Sequence, residues 1–468
     1  MGFAVCTNQG NIVRLLVDFG SSLELVDSYE NNPLHLAVEH RLPHMYDLVV
    51  ELWKDWAPSH ASDLKPLTKR LNSDRLTPLC TAAKYGYCEI FDHILNATCE
   101  VQWSYGPVTC VWLPLEDVDY IVGRKSGAIE HIVQEGHLDL LTLPLIQEIL
   151  MKKWNNFAKM LFIGRFKWAL AQAIAYTLMV VFPPPNISLF PLLSVVPMDH
   201  WGAEGGFFFV LLHLLCKLFV TVMMAQKMYI ECREMATEGI EHHFDFAGAA
   251  IFENMVSLSM CCSFFVSQLL EPVGSEWADT MLAITGILVW SYLFWFMLGL
   301  QGTGHLVVMV WKIVVQDMTK FACVTGIFLV SFSLASFIIT TAKADRGWMS
   351  FTIHLFDFFH GMMSGFDKDH HVNQGSLFMG LVVSYSVLVT ILLLNILIAM
   401  MSDTYNKVCE SAEKRWQLER ARIIVTMEKE MNREEIEKQK YWIEPHDGGD
   451  RYLQFEKTST TWATDNAS

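Results

Sequence analysis

Residues 350–371 read SFTIHLFDFFHGMMSGFDKDHH and lie between two apolar runs, 321–342 and 375–402, that contain no Asp, Glu, Lys or Arg. A helix needs about 20 mostly apolar residues to cross a bilayer, so each run is long enough to span it. The stretch Ser350–His360 is apolar and aromatic at helical spacing, but its 11 residues are too few to cross. This region therefore predicts a segment that enters the membrane between two spans without crossing it.

The residues that follow this short helix are small and then charged. The chain turns through Gly361, Ser364 and Gly365 and meets three charged residues at 367–369. A short re-entrant helix followed by small residues can present backbone carbonyl oxygens to an ion. Irregular backbone at membrane depth is tolerated only where it lines water or protein. The pattern favours a pore loop; the alternative is an ordinary extracellular loop that carries an amphipathic helix.

The composition of the 468-residue chain is that of a membrane protein with polar ends. It has 52% hydrophobic residues, 18% charged residues and a net charge of −16, and its mean hydropathy is +0.28. Disordered and nucleic-acid-binding chains need low hydrophobicity or a basic balance, so both classes are disfavoured. The sequence predicts six membrane spans. Five or seven spans are alternatives, because residues 343–374 are themselves partly apolar. The predicted spans are 160–182, 206–226, 246–270, 281–300, 321–342 and 375–402.

Basic residues set the predicted orientation, since Lys and Arg concentrate in cytoplasmic loops. Three lysines lie within 152–159, before the first span, and three basic residues lie within 407–415, after the sixth. The loop 183–204 contains neither residue type. We therefore expect both ends to be cytoplasmic and the glycosylation motif at Asn186 to lie outside.

The N-terminal part carries two similar motifs. Residues 32–37 read NPLHLA and residues 76–83 read LTPLCTAA, both close to the T-P-L-H-x-A pattern of ankyrin repeats. Their interval of about 44 residues exceeds the usual 33, which predicts a long connecting finger. Two repeats and a fragment fall short of the three normally needed for a continuous core. Either the array starts inside a longer one, or a neighbouring subunit caps its first helices.

Three further segments flank the predicted spans. Residues 101–122 alternate and are rich in aromatic and β-branched side chains, which predicts a hairpin, and 138–154 has helical periodicity. Residues 407–440 predict a charged helix with one apolar stripe. That helix either lies under the bilayer or is a solvated coiled-coil stub. The tail from His446 onward is polar and is expected to be mobile. The stripe consists of Trp416, Leu418, Ile423, Ile424 and Met427.

Enzymatic and metal-binding motifs are missing from the sequence. The 11 cysteines show no CxxC spacing, so a zinc site and a disulfide framework are not expected. No nucleotide-binding loop or nucleophile elbow occurs. The sequence therefore predicts no metal site, no cofactor, no nucleic-acid partner and no enzymatic activity.

A repeat array, a hairpin linker, six spans, a re-entrant loop and a following amphipathic helix together resemble the transient receptor potential (TRP) cation channels, most of all their vanilloid (TRPV) branch. The resemblance implies a mostly α-helical membrane protein. The stretches that carry it are WSYGPV (103–108), LPLIQEILMKKWNNFAK (143–159), WSYLFWFMLGLQGTGHLVVMVWKIVVQDMTKF (290–321) and LLLNILIAMMSDTYNKV (392–408).

The same resemblance implies a domain order. We expect a partial ankyrin domain at 1–100 and a linker with a β-hairpin and pre-membrane helices at 101–159. A four-helix sensor-like bundle at 160–304 precedes a pore domain at 305–403, and a TRP helix with a cytoplasmic tail occupies 404–468.

By resemblance the protein is a tetrameric, non-selective, calcium-permeable cation channel. Ca²⁺ and monovalent cations are then permeant ions rather than cofactors. Asp367 and Asp369 are expected to concentrate cations at the pore mouth, and Lys368 between them weakens that field. The predicted selectivity filter comprises Gly361, Met362, Met363, Ser364 and Gly365.

The resemblance also assigns gating residues. Ile398 and Met401 are expected to form the lower hydrophobic gate, which closes by dewetting. Asn395 is expected either to hydrogen-bond a neighbouring helix or to stabilise a local change in helix geometry. Asp317 is expected to pair with Arg420 or with Lys414. Trp416 and Arg420 of the TRP helix complete the predicted gating coupling.

A lipid or ligand pocket is implied at Ile251, Phe252, Ser291 and Trp311. These residues depart from the family's vanilloid pocket, so a lipid is expected there rather than a vanilloid. Membrane lipids, TRP-type subunits in a homo- or hetero-tetramer, and cytosolic proteins bound through the ankyrin repeats are the expected partners. The plasma membrane is the expected location, with a cilium also compatible.

Two rival functions stay open at this point. A regulatory or scaffold subunit that needs other pore-forming subunits would also explain the short array and the unusual filter. A secondary transporter would require internal repeats and helices broken at the midplane, which the sequence lacks. The span 281–300 has no Lys or Arg, which argues against steep voltage gating.

Overall fold

The computed structural model describes residues 1–60, 66–119, 126–182, 206–238, 250–271, 275–300, 302–341, 347–366, 376–431, 433–438, 440–444 and 451–458. The chain forms two compact units. The first contains Met1–Gly299 and Gln417–Ser468, and the second contains Leu300–Trp416.

The N-terminal part of the first unit is a series of short helices joined by tight turns. Two of its helix starts explain the motifs seen in the sequence. Asn32 Oδ1 accepts from the backbone N–H of His35 at 3.0 Å, and the Thr77 side chain caps Cys80 N–H, so each polar cap precedes a proline at a position that needs no N–H. His35 also contacts the carbonyl of Leu76 at 3.0 Å, which links one helix pair to the next. The helices are α1 (Gly2–Cys6), α2 (Gly10–Asp18), α3 (Pro33–Glu39), α4 (Pro43–His60), α5 (Pro78–Tyr85) and α6 (Cys88–Ala97).

The predicted hairpin is confirmed and gains a third strand. β1 (Glu100–Tyr105) pairs with β2 (Val108–Pro114), and β2 pairs antiparallel with β3 (Tyr452–Thr458). The expectation that the tail from His446 is mobile is therefore wrong for β3. Leu453 is fully buried and Phe455 is buried, so alternate residues of this strand give it an apolar face to pack.

Three short helices and a π-helical turn then lead to the first long apolar helix. Short helices α7 (Ala128–Glu135) and α8 (Leu138–Leu141) precede α9 (Pro144–Lys153). A π-helical turn, Trp154–Ala158, connects α9 to α10 (Lys159–Val181).

A bundle of four helices completes the membrane part of the first unit. Its core is formed by side chains from all four, among them Tyr176, Val220, Phe264 and Val289. Glu253 of the third bundle helix accepts a hydrogen bond from the Tyr292 hydroxyl at 3.1 Å. The bundle helices are α10, α11 (Gly206–Glu238), α12 (Ala250–Leu270) and α13 (Glu276–Leu298).

The second unit contains the two charge-free runs that flank the predicted pore loop. Helix α14 (Gly304–Ile313) continues through a π-helical turn, Val314–Met318, into α15 (Thr319–Thr340). Helix α16 (Trp348–Ser364) follows.

The last long segment is helical throughout and passes from the second unit into the first. It consists of α17 (Ser376–Tyr385), a π-helical segment (Ser386–Leu393) and α18 (Leu394–Glu430). The short helix α19 (Arg433–Lys438) comes after it. The apolar stripe predicted on α18 is buried at each of its five residues, so the stripe is not solvated.

Each of the six predicted spans contains described helix, and four of the described helices are long and apolar enough to cross a membrane. Helices α10 and α12 are long but fall outside this set. The four are Phe208–Ala236, Glu276–Leu298, Thr319–Thr340 and Ser376–Lys407.

Candidate functional site

The pore-loop region is built around one aromatic cluster in the second unit. Phe358 of α16 and Tyr385 of α17 are both buried, and their rings meet edge to face at 4.9 Å. The Tyr385 hydroxyl donates to the carbonyl oxygen of Phe358 at 3.1 Å. Phe332 of α15 packs on the same tyrosine ring at 5.3 Å. Tyr385 therefore connects the short helix α16 to α17 and α15.

The short helix is longer than the sequence predicted. It runs to Ser364, so the expected turn at Gly361 is wrong. Phe358 and Met362, four residues apart, are both buried on one face, and this apolar contact extends the helix by a further turn.

Gly365 ends the helix with a φ of +82°, a backbone conformation that glycine adopts without strain. Gly361 is required for a different reason. A Cβ atom there would lie 2.5 Å from the Phe366 ring, which packs back over the helix. Of the predicted filter, Met362 is buried, whereas Met363 is 65% exposed and Ser364 and Gly365 are also exposed. Asp367 and Asp369 lie outside the described residues.

Two of the predicted gate residues, Asn395 and Ile398 of α18, share one helical face with Ile391 of the preceding π-helical segment. Ile391, Asn395 and Ile398 are spaced by four and three residues and are all exposed, with Ile391 at 60% and Ile398 at 64%. Val389 and Leu393 pack into the core of the unit on the other side. Met401 is half-buried. Among the described residues of the second unit, the face that carries Asn395 and Ile398 is therefore not covered.

Asn395 lies at the end of the π-helical segment. Its side-chain amide donates to the carbonyl of Ile391 at 2.5 Å, so this hydrogen bond stays inside the same helix. A π-helical segment leaves carbonyl groups out of the regular i to i−4 pattern. Both roles that the sequence left open for Asn395 stay predictions.

Helix α14 contacts the middle of α18. Met309 and Ala412 are buried together, and Ile313 packs against them. Asp317 is 7% exposed, and its Oδ2 atom has no hydrogen-bond partner among the described residues. Its predicted pairing with Arg420 or with Lys414 stays a prediction.

Trp416 and Arg420 belong to different units of the chain. Trp416 is buried at the end of the second unit. In the first unit the Arg420 guanidinium stacks on the ring of Trp154, 4.7 Å from its centroid. Trp154 starts the π-helical turn before α10, so the contact joins α18 to the segment that precedes the first predicted span.

The predicted lipid pocket is only partly described. The side chains of Ile251 and Phe252 lie outside the described residues. Ser291 is half-buried in the first unit, and Trp311 is 46% exposed in the second. The pocket stays a prediction.

Sequence reasoning missed a buried ion cluster in the first unit. The Lys153 ammonium donates to Asp119 and, at 2.6 Å, to Oε2 of Glu428. Lys153 is 0% exposed, and both carboxylates are 3% exposed. One signal was available: Lys153 and Glu428 each interrupt the buried face of an amphipathic helix.

The sequence of this chain is similar to those of known cation channels. The family model described as "Calcium channel YVC1-like, C-terminal" matches residues 207–437. The human transient receptor potential cation channel subfamily V member 5 is 22% identical over 92% of this chain and 61% of its own length. Human subfamily V member 6 is 22% identical over 91% of this chain and 57% of its own length.

A third relative extends the same pattern. Mouse subfamily V member 4 is 24% identical over 92% of this chain and 53% of its own length. The chain thus spans between one half and three fifths of the curated relatives it matches. Their printed names describe cation channels, not enzymes, and their similarity together with the apolar helices identifies a multi-pass membrane protein.

Proposed function

We propose that this chain, whose homologues are the TRPV channels, is a pore-forming subunit of a calcium-permeable cation channel. The observation that carries the proposal is the second unit: two membrane-length helices enclose a 17-residue helix that ends at a left-handed glycine. A helix of that length is about 26 Å long, somewhat short of the hydrocarbon core. Tyr385 holds this helix at Phe358, and in the proposed pore the backbone after the helix contacts the ions.

The proposal includes assembly into a tetramer. The face of α18 that carries Asn395 and Ile398 is exposed in one chain, and isoleucine at 64% exposure suits a surface that faces a narrow pore or another subunit. Four copies around one axis would place these side chains in a ring, and an apolar ring closes a pore by dewetting. Six spans, ankyrin repeats at the N-terminal side and cytoplasmic ends belong to the same proposal.

The permeation test uses an acidic residue of the pore mouth and a matched control. Whole-cell currents are recorded from cells that express this chain, with Asp367→Asn and Asp279→Asn as variants. Both carboxylates lie on the predicted outer side, but Asp279 is in the first unit at the start of α13. We expect a cation current whose Ca²⁺ permeability relative to Na⁺ falls in Asp367→Asn and is unchanged in Asp279→Asn. Equal effects in both variants would contradict the pore assignment.

The second candidate is a subunit that conducts only with partners. The specific observation in its favour is the filter stretch, which has methionines at 362 and 363 and Lys368 among its acidic residues. It predicts surface expression without current from the chain alone, and a current when a subfamily V subunit is co-expressed.

A further inference from the structure

One polar side chain lies in the apolar face that α16 turns toward α15. Phe351, His354 and Phe358 follow one another at intervals of three and four residues, which places them on the same side of the helix. The Phe337 ring of α15 packs edge to face on the Phe351 ring at 5.8 Å and on the His354 ring at 6.0 Å. His354 therefore belongs to the interface between these two helices.

Both ring nitrogens of His354 contact hydroxyl groups at the C-terminal end of α15. Nδ1 lies 3.3 Å from Ser336 Oγ, and Nε2 lies 3.2 Å from Oγ1 of Thr340 and 3.2 Å from Oγ1 of Thr341. Ser336 is 0% exposed, so bulk water does not reach its hydroxyl. A buried hydroxyl without a partner loses free energy of solvation, and the imidazole is the partner that prevents this loss.

The hydroxyl groups determine which ring nitrogen carries the proton. Thr340 donates its own hydroxyl proton to the carbonyl oxygen of Ser336 at 2.9 Å, so the Thr340 oxygen accepts from the Nε2–H of His354. In the neutral ring Nδ1 is then an acceptor, to which the Ser336 hydroxyl donates. One side chain of α16 is thus attached to successive turns of α15 through one donor and one acceptor.

This attachment complements the contact that Tyr385 makes with the same helix. Tyr385 of α17 donates to the carbonyl oxygen of Phe358, one turn after His354, whereas His354 is attached to α15. Two contacts, one to each long helix, restrain both the sliding and the rotation of α16. Between His354 and Ser364, where α16 ends, the helix extends about 15 Å. A displacement of the helix at His354 therefore moves the backbone that follows Ser364.

We propose that His354 is the positioning residue of α16: it holds the helix at the depth at which the backbone after Ser364 selects ions. This role rests on the proposed channel function, whereas the attachment of α16 to α15 does not. The site needs a donor and an acceptor in one side chain. Glutamine supplies both and leucine supplies neither, so the two substitutions separate the hydrogen bonds from the bulk of the side chain.

Hydrogen exchange on the full chain in nanodiscs tests the attachment. The readout is amide protection across residues 356–361 in the wild type, His354→Leu and His354→Gln. Leucine removes two hydrogen bonds, each worth roughly a fivefold factor, so we expect exchange to become about 25-fold faster. His354→Gln should stay within about fivefold of the wild type. Equal protection in His354→Leu and the wild type would overturn the proposal.

A second pair of variants keeps the proposal testable if His354→Leu fails to fold. Ser336→Ala removes the contact at Nδ1 alone and should speed exchange across 356–361 about fivefold. Ser333→Ala is the matched control, because Ser333 is also 0% exposed and its hydroxyl has no hydrogen-bond partner among the described residues. Equal exchange in these two variants would show that the contact with His354 does not hold α16.

Whole-cell currents separate positioning from stability alone. His354→Leu should shift the reversal potential measured with external Ca²⁺, and His354→Gln should restore the wild-type value. A smaller current with an unchanged reversal potential would show that His354 only stabilises the helix, and would overturn the proposal. Faster exchange in His354→Leu without current from any of the proteins, the wild type included, would overturn the proposed channel and with it the role in ion selection, while the attachment to α15 would stand.

Discussion

Replacing Lys153 by methionine tests the energetics of the buried cluster. Methionine matches the length of the lysine stem, but it leaves Asp119 and Glu428 facing each other without a cation at a site where all three side chains are at most 3% exposed. Removing one partner of a buried ion pair costs about 3–5 kcal/mol. Protonation of Glu428, whose pKa is already about 7, offsets part of this at acidic pH. We therefore expect the full loss only above neutral pH.

The assay is thermal unfolding of the purified chain in detergent, followed by the fluorescence of its tryptophans, at pH 6 and pH 8. Lys153→Met should lower the midpoint at both pH values and more strongly at pH 8. Lys153→Arg keeps the charge and is the matched control, with a smaller loss. The triple variant Lys153→Met, Asp119→Asn, Glu428→Gln removes all charges and should recover much of the stability. If Lys153→Met were as stable as the wild type at pH 8, the cluster would not hold this region together.

Three further predictions concern other contacts. Tyr385→Phe removes the hydrogen bond to Phe358 at a cost of about 1 kcal/mol and should speed amide exchange near residue 362 about fivefold. The exposed Tyr405→Phe is its control, and an equal increase in exchange in that variant would refute the anchoring role. Thr77→Ala removes a helix cap worth about 1 kcal/mol, so an unchanged thermal midpoint would contradict the capping account. Leu453→Asp places a charge on a fully buried strand position and should expose the C-terminal tail to protease. The exposed Glu456→Ala is its control and should leave cleavage unchanged. Equal cleavage of the two variants would show that β3 does not hold the tail.

Much of the helical framework follows from the sequence because long apolar runs and capped starts are local signals. The motif at Asn32 predicts a helix start, since its side chain and the following proline act within one turn. The hairpin at 100–114 is likewise local, with Gly106 in the left-handed region at its turn. The six apolar segments all contain helices because their length and composition leave few alternatives.

The features that escaped sequence reasoning depend on partners distant along the chain. β3 pairs Leu453 with Leu113, and nothing near residue 453 indicates which strand it joins. Its alternating Leu453 and Phe455 were a usable signal that the polar surroundings obscured. Lys153 was counted as a basic flanking residue for membrane orientation, whereas its burial depends on carboxylates from two other segments.

The candidate site was predicted at the level of segments and less well at the level of residues. The pore helix was expected at 350–360, but packing of Met362 carries it to Ser364. Asn395 was singled out as polar in an apolar helix; its bond to Ile391 depends on the π-helical segment before it, which no sequence period indicates.

The most direct test of a pore-forming subunit is ion flux through the purified chain alone in liposomes. Ca²⁺ uptake is compared for the wild type, Ile398→Ala and Ile396→Ala, two isoleucines on different faces of one helix that are 64% and 44% exposed. The account predicts uptake through the wild type and a raised resting leak in Ile398→Ala only, because a smaller side chain opens the apolar ring. Liposomes that stay tight with all three proteins, each shown to be inserted, would contradict it.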